Sequence, residues 1–209
     1  MASYRSFVLR KLQSLAGVLP LGIFFFVHMT LNSAAAKGGG VYNTVIEVMR
    51  GFPNIWVYEW AIIFIPLIFH GVYGLVIWWT GKSNVGRYGF YRNWMYLFQR
   101  LTGIIAFLFL IYHVFVFRYG EIFFGIPELS FDWIAGQFTN PIVFAIYLIG
   151  LFCAAFHFGN GIYTFCITWG ITVGAKSQKV VNYLSWIICI VFTLYGLNSM
   201  LAFLGKNIF

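Results

Sequence analysis

Four histidines carry most of the chemistry available to this chain: His28, His70, His113 and His157. Each sits inside a different apolar segment, and the sequence has no other histidine. An ionisable group in hydrocarbon is costly, so its presence there points to a role. Neutral imidazole is a good ligand for iron, copper and zinc. One imidazole in each of four apolar segments therefore suggests ligands for metal centres inside a helix bundle.

The elements that must position them are membrane spans. The chain has 209 residues, of which 61% are hydrophobic and 9% charged. A soluble domain carries about 25% charged residues, so this composition could not cover a water-facing surface. The expected fold class is an all-α polytopic membrane protein with five transmembrane helices, at about 14–36, 57–79, 95–117, 141–169 and 181–204. Trp56, Trp78, Trp79, Trp94 and Trp169 fall at segment ends, as an aromatic belt requires. The first apolar run carries a histidine and lacks a small-residue cleavage pattern, so it reads as a retained helix. Cys153, Cys166 and Cys189 have neither disulfide nor zinc-site spacing and read as small buried hydrophobes. Iron–sulfur ligation by this chain is not expected, because a cluster usually takes four cysteines.

Charge gives an orientation. With five spans, one side receives Arg5, Arg10, Lys11, Lys82, Arg87, Arg92, Arg100, Lys176 and Lys179, and no acidic residue. The other side has Lys37, Arg50, Arg118 and Lys206 against Glu47, Glu59, Glu121, Glu128 and Asp132. The positive-inside rule then predicts a cytoplasmic N-terminus. The basic face would meet anionic lipid; charge alone does not identify a protein partner there.

The first two spans resemble the next two, as a weak repeat of 10–81 and 96–170. Gln13-Ser14-Leu15-Ala16-Gly17 opens span 1 and Gln99-Arg100-Leu101-Thr102-Gly103 opens span 3. Histidine follows in each, His28 and His113. Spans 2 and 4 share Phe-His-x-x-x-Gly, at Phe69-His70 with Gly74 and Phe156-His157 with Gly161. The topology makes this a parallel repeat, whose pseudo-two-fold axis runs along the membrane normal. His28 should then face His113, and His70 should face His157. The charges flanking spans 1 and 3 put His28 and His113 each about 6 Å outward of mid-span. The second pair lies deeper, toward the cytoplasm. Span 5 has no counterpart and no histidine, so it is expected to serve packing.

Two imidazoles on facing helices, trans to one another, suit a six-coordinate haem b, an electron-transfer centre. Zinc or copper would favour three or four ligands at one level. A proton relay would want carboxylates within the spans, and none lies well inside one. A histidine-dependent proton or metal transporter is nonetheless the alternative from a different functional class. The glycines Gly17, Gly22, Gly71, Gly74, Gly103, Gly159 and Gly161 leave room for a macrocycle, but close helix packing explains them as well. Pro66, one turn before His70, removes a backbone hydrogen bond and is expected to bend span 2.

In the order and spacing of these segments the chain resembles the cytochrome b558 family, the single-chain, five-helix, di-haem anchors of succinate:menaquinone oxidoreductases. The carrying stretches are Arg10–Val18 before His28, Pro66–Gly74, Arg92-Asn93-Trp94 with Gln99–Ile104 before His113, and Phe156–Gly161 followed by Thr168–Thr172. The resemblance implies two non-covalent b haems in a four-helix bundle, the outer held by His28 and His113, the inner by His70 and His157. It implies a flavoprotein subunit and an iron–sulfur subunit on the cytoplasmic face of a bacterial membrane. By the resemblance, electrons from succinate would then reach a quinone of the menaquinone class through this chain. It leaves open a fumarate reductase or another quinone-linked dehydrogenase, and a higher oligomer of the complex. The chain has no nucleotide-binding fingerprint and no cluster cysteines, so it is not expected to be an enzyme alone. Nucleic acid is not an expected partner. Glu59, at the outer start of span 2, is the first candidate for a quinone site, because quinone reduction needs protons as well as electrons. Ser14 and Arg100 would serve an inner site instead. Arg10, Lys11 or Arg100 are candidates for pairing with haem propionates.

Overall fold

Proline shapes the first two membrane-length helices of the chain. Span 1 runs over Arg5–Lys37. It consists of a helix at Tyr4–Val18, a second at Pro20–Asn32 and a 3-10 turn at Ser33–Lys37. Pro20 has no N–H to donate, so the ladder lapses there. It resumes at once: Leu19 N donates to Leu15 O at 2.9 Å and Ile23 N to Leu19 O at 3.0 Å. Span 2 covers Ile55–Thr80. Pro66 cannot donate to the carbonyl one turn back, and the backbone upstream widens into a π-helical stretch over Glu59–Phe64. The expected disturbance at Pro66 is thus a widened turn, a device often found at functional positions.

The remaining spans are Tyr91–Phe117, Pro141–Thr168 and Ala175–Ala202. The structure, a computed structural model, describes residues 4–208, and among them there is no strand. Pro141 opens span 4 at a position that needs no donor, and Asn140 Oδ1 caps it by accepting from Ile142 N at 2.9 Å. Spans 1, 3 and 5 begin earlier than the apolar runs suggest. The added turns carry Arg5, Arg10, Lys11, Arg92, Lys176 and Lys179. Basic side chains reach outward from a continuing helix, so hydropathy ends before the backbone ladder does.

Spans 4 and 5 pack closely. A Cβ on Gly159 would crowd Ser185 O and come within 3.4 Å of Cys189 N, and one on Gly196 would meet the Leu151 side chain. Span 5 is therefore a packing partner of span 4, as its lack of histidine suggested. The three cysteines are free.

The two ends of the bundle are built differently. At the mixed-charge end, connections expected as loops contain helices at Gly39–Arg50, Gly120–Phe124 and Phe131–Phe138. Tyr42, Ile134, Phe138 and Phe203 there join Tyr147, Leu151 and Met200 of the spans in one buried cluster. Phe131 N donates to Asn43 Oδ1 at 2.9 Å, and Arg50 pairs with Glu128. Burial pushes the Tyr42 phenol well above its ordinary range. The basic end has no comparable cap among the described residues: residues 81–90, between spans 2 and 3, form no helix.

Candidate functional site: two histidine pairs

The structure brings the four histidines together as two pairs. The rings of His28 and His113 have centroids 5.7 Å apart and lie at 84° to each other. Those of His70 and His157 are 5.9 Å apart at 88°. A metal–imidazole nitrogen bond is about 2.0–2.1 Å, so two rings binding one ion from opposite sides have centroids about 6 Å apart. Both pairs match that spacing. Among the described residues no third histidine, cysteine, aspartate or glutamate joins either pair, which does not suit a three- or four-ligand zinc site.

The pair nearer the basic end is held by the same arrangement twice. His70 Nδ1 lies 2.8 Å from Gln13 O, and His157 Nδ1 lies 2.9 Å from Gln99 O. A carbonyl can only accept, so each Nδ1 carries the proton and each Nε2 is left with its lone pair. The glutamine side chains answer in the other direction. Gln99 Nε2 donates to His157 O at 3.0 Å, and Gln13 Nε2 stands 3.5 Å from His70 O. Four residues beyond each glutamine a glycine admits the ring. A Cβ on Gly17 would lie 2.8 Å from His70 Nδ1, and one on Gly103 would lie 2.7 Å from His157 Cε1. Four residues beyond each histidine, Gly74 and Gly161 lie against the glutamine amides, at 3.7 and 3.5 Å from a built Cβ. Glutamine and glycine on one helix and histidine and glycine on the next thus form a clasp.

The two clasps differ at one point. Asn160 Nδ2 donates to Gln99 Oε1 at 2.7 Å, and Asn160 is buried. The residue in the same register of span 2 is Tyr73, which instead stacks on Phe69 at 6.0 Å.

The other pair has no such clasp. His113 lies between Phe109 and Phe117, with ring centroids 5.7 and 5.3 Å away. Its Nδ1 is 3.1 Å from the Tyr147 hydroxyl. His28 neighbours Asn32, whose Nδ2 donates to His28 O at 2.9 Å and lies 3.4 Å from Nε2. Tyr42 Oη donates in turn to Asn32 Oδ1 at 3.3 Å. On span 1, Gln13 and His28 are separated by about 22 Å at 1.5 Å per residue, so the pairs occupy distinct levels.

Of the remaining candidates, Glu59, Ser14, Arg100 and Lys11 have partners of their own. Glu59 begins the π-helical stretch of span 2 and takes a two-pronged ion pair from Arg118, with Nε to Oε1 at 2.9 Å and Nη2 to Oε2 at 2.8 Å. That contact holds the Arg118 guanidinium above its ordinary range. Ser14 Oγ accepts from Trp169 Nε1 at 3.0 Å. Arg100 donates to Ile77 O at 3.2 Å and lies over the Tyr96 ring. Lys11 donates to Thr168 O and lies over Trp169, and Arg10 is exposed. Sequence reasoning picked out Gln13 and Gln99 as landmarks without a role, and missed Tyr147, Asn32, Asn160 and the pairing of Arg118. Pairings between residues far apart in the chain leave no local periodic signal.

Fold and site together define a five-span helical membrane subunit with two imidazole pairs at separate levels. Residues 82–197 match the family described as succinate dehydrogenase/fumarate reductase transmembrane subunit. The chain is also 39% identical over 203 residues to the succinate dehydrogenase cytochrome b558 subunit of Bacillus subtilis (strain 168), across 97% of this chain and 100% of that relative. It belongs to the succinate dehydrogenase/fumarate reductase transmembrane-subunit family.

Proposed function

We propose that this chain is the di-haem cytochrome b anchor of a succinate dehydrogenase, with His28 and His113 holding one haem b and His70 and His157 the other. The observation that carries the reading is the pairing itself: two imidazole pairs at metal-binding spacing, on two levels, in a chain of this family. When bound, a bis-histidine haem b supplies one-electron transfer with no open position for oxygen. Every other task falls to the chain. Gln13 and Gln99 fix the tautomers of His70 and His157 through their carbonyls. Gly17 and Gly103 let the Cε1–Nδ1 edges of those rings come close to the neighbouring helix. Phe109 and Phe117 confine His113 between two aromatic faces.

The basic end is the proposed cytoplasmic side and the docking face for a flavoprotein and an iron–sulfur subunit, in a bacterial cytoplasmic membrane with the N-terminus inside. A membrane quinone, menaquinone by resemblance, is the proposed electron acceptor. Glu59 is the proposed proton-handling group near it, held by Arg118 beside the π-helical turn. The two halves 10–81 and 96–170 are read as a duplication, which the twin clasps support. Succinate oxidation is preferred over fumarate reduction because the relative matched over nearly its whole length is a succinate dehydrogenase subunit.

The test is a dithionite-reduced minus air-oxidised spectrum of the purified complex, with haem counted per chain. Two b-type components per chain, co-purifying with flavin and iron–sulfur subunits, are expected. One haem per chain would break the paired-site reading, and no b-type band would end it.

A further inference from the structure

The groups that face the histidine Nδ1 atoms are of two kinds. His70 and His157 each face a main-chain carbonyl, at 2.8 and 2.9 Å. His113 faces a phenol, Tyr147 Oη, at 3.1 Å. Tyr147 is buried, and its ring packs edge-on against Phe109 at 5.1 Å and Phe138 at 5.1 Å. Those contacts fix where its hydroxyl points. Tyr147 stands ten residues before His157; ten residues before His70 stands Trp60, which is exposed. The first half of the chain therefore has no counterpart to this phenol, and His28 has Asn32 beside it instead.

We propose that Tyr147 is a positioning residue for His113: its oxygen accepts a hydrogen bond from Nδ1–H, fixes the tautomer that presents Nε2, and sets the reduction potential of the His28/His113 site separately from the other. This rests on the proposed ligation by histidine pairs. The physical basis is ligand basicity. An acceptor on Nδ1–H makes the opposite nitrogen a stronger electron donor, which favours the more positive, oxidised metal. Removing the acceptor weakens that donation, and the potential rises.

The experiment is a redox titration of the purified complex carrying Tyr147→Phe, followed in the b-type absorption bands. The components are assigned beforehand with His28→Ala and His70→Ala. At a fixed potential, the reduced-to-oxidised ratio of the His28/His113 component should rise, a roughly tenfold rise being equivalent to 59 mV for a one-electron couple. The His70/His157 component should not move. Tyr112→Phe, whose ring lies 6.1 Å from Tyr147, should move neither. An unmoved His28/His113 component, or an equal shift in both, overturns the proposal. Should Tyr147→Phe lose the haem, Tyr147→Gln returns an acceptor at that position. Regained haem with a potential no higher than the original supports the proposal, and failure to regain it overturns the proposal. A native complex with a single b-type component overturns the paired-site reading itself, a result distinct from two components with unmoved potentials.

Discussion

The two histidine pairs are alike in spacing and unlike in how they are held. At the basic end each ring is fixed by a neighbouring helix's backbone, through a glutamine carbonyl and a glycine surface, and the arrangement occurs twice. At the mixed-charge end the rings are fixed by side chains: Tyr147, Asn32, and the Phe109 and Phe117 faces. The difference follows from the surroundings. The orienting groups of both pairs sit on the spans, but among the described residues the basic end has no helical cap to pack against their side chains. The other end is closed by short helices and the buried cluster around Tyr42, Phe138 and Tyr147, which makes side-chain partners available.

The sharpest way to break the comparison is to remove the rings. His28→Ala and His113→Ala should each abolish the same b-type component, and His70→Ala and His157→Ala the other, halving haem per chain in a haemochrome assay. Loss shared between His28 and His70 would mean that the pairs are wrongly drawn.

Next in size is the glycine contact. Gly103→Val places branched carbon where the His157 ring lies and should cost the His70/His157 component while sparing the other. Gly161→Ala meets only the Gln99 amide at 3.5 Å and should keep both components. Equal losses from the two variants would show that glycine there serves general helix packing.

Glu59→Gln separates the proposed proton role from stability. Arg118 is 47% exposed and Glu59 18%; a partly exposed ion pair contributes on the order of 1 kcal/mol, so melting should shift only modestly. Quinone reduction should fall by roughly 100-fold, the lower range for loss of a general acid. Succinate oxidation with a water-soluble acceptor should persist. Unchanged quinone reduction would remove Glu59 from the quinone site.

The smallest effect tests the asymmetry between the clasps. Asn160→Leu removes the hydrogen bond that holds Gln99 Oε1 and should destabilise the protein by about 1–3 kcal/mol, read by thermal denaturation in detergent. Tyr73→Phe, in the same register of span 2, should change stability much less. If the two changed it equally, Asn160 would not distinguish the halves.

Much of this architecture was legible in residue order. Apolar run length located all five spans, and the matched landmarks around Gln13, Gln99, His70 and His157 indicated which histidines would meet. The edges were less legible, because Arg5, Arg10 and Lys176 end a hydropathy signal without ending a helix. Helix Gly39–Arg50 was missed because it is short, amphipathic and stabilised by Phe131 and Phe203 from far along the chain. The π-helical stretch at Glu59–Phe64 was foreshadowed by Pro66 only as a bend. Arg118 read as a topology charge, since nothing local to it reveals Glu59 as its partner.

The carbonyls of Gln13 and Gln99 belong to the main chain, and every amino acid supplies one. No substitution at either position deletes the acceptor on His70 or His157, so drift in sequence there leaves the ring orientation largely intact. The hydroxyl of Tyr147 can be removed by a single replacement. The acceptors of one histidine pair are thus insulated from substitution at the residues that supply them, while that of His113 is open to adjustment by selection.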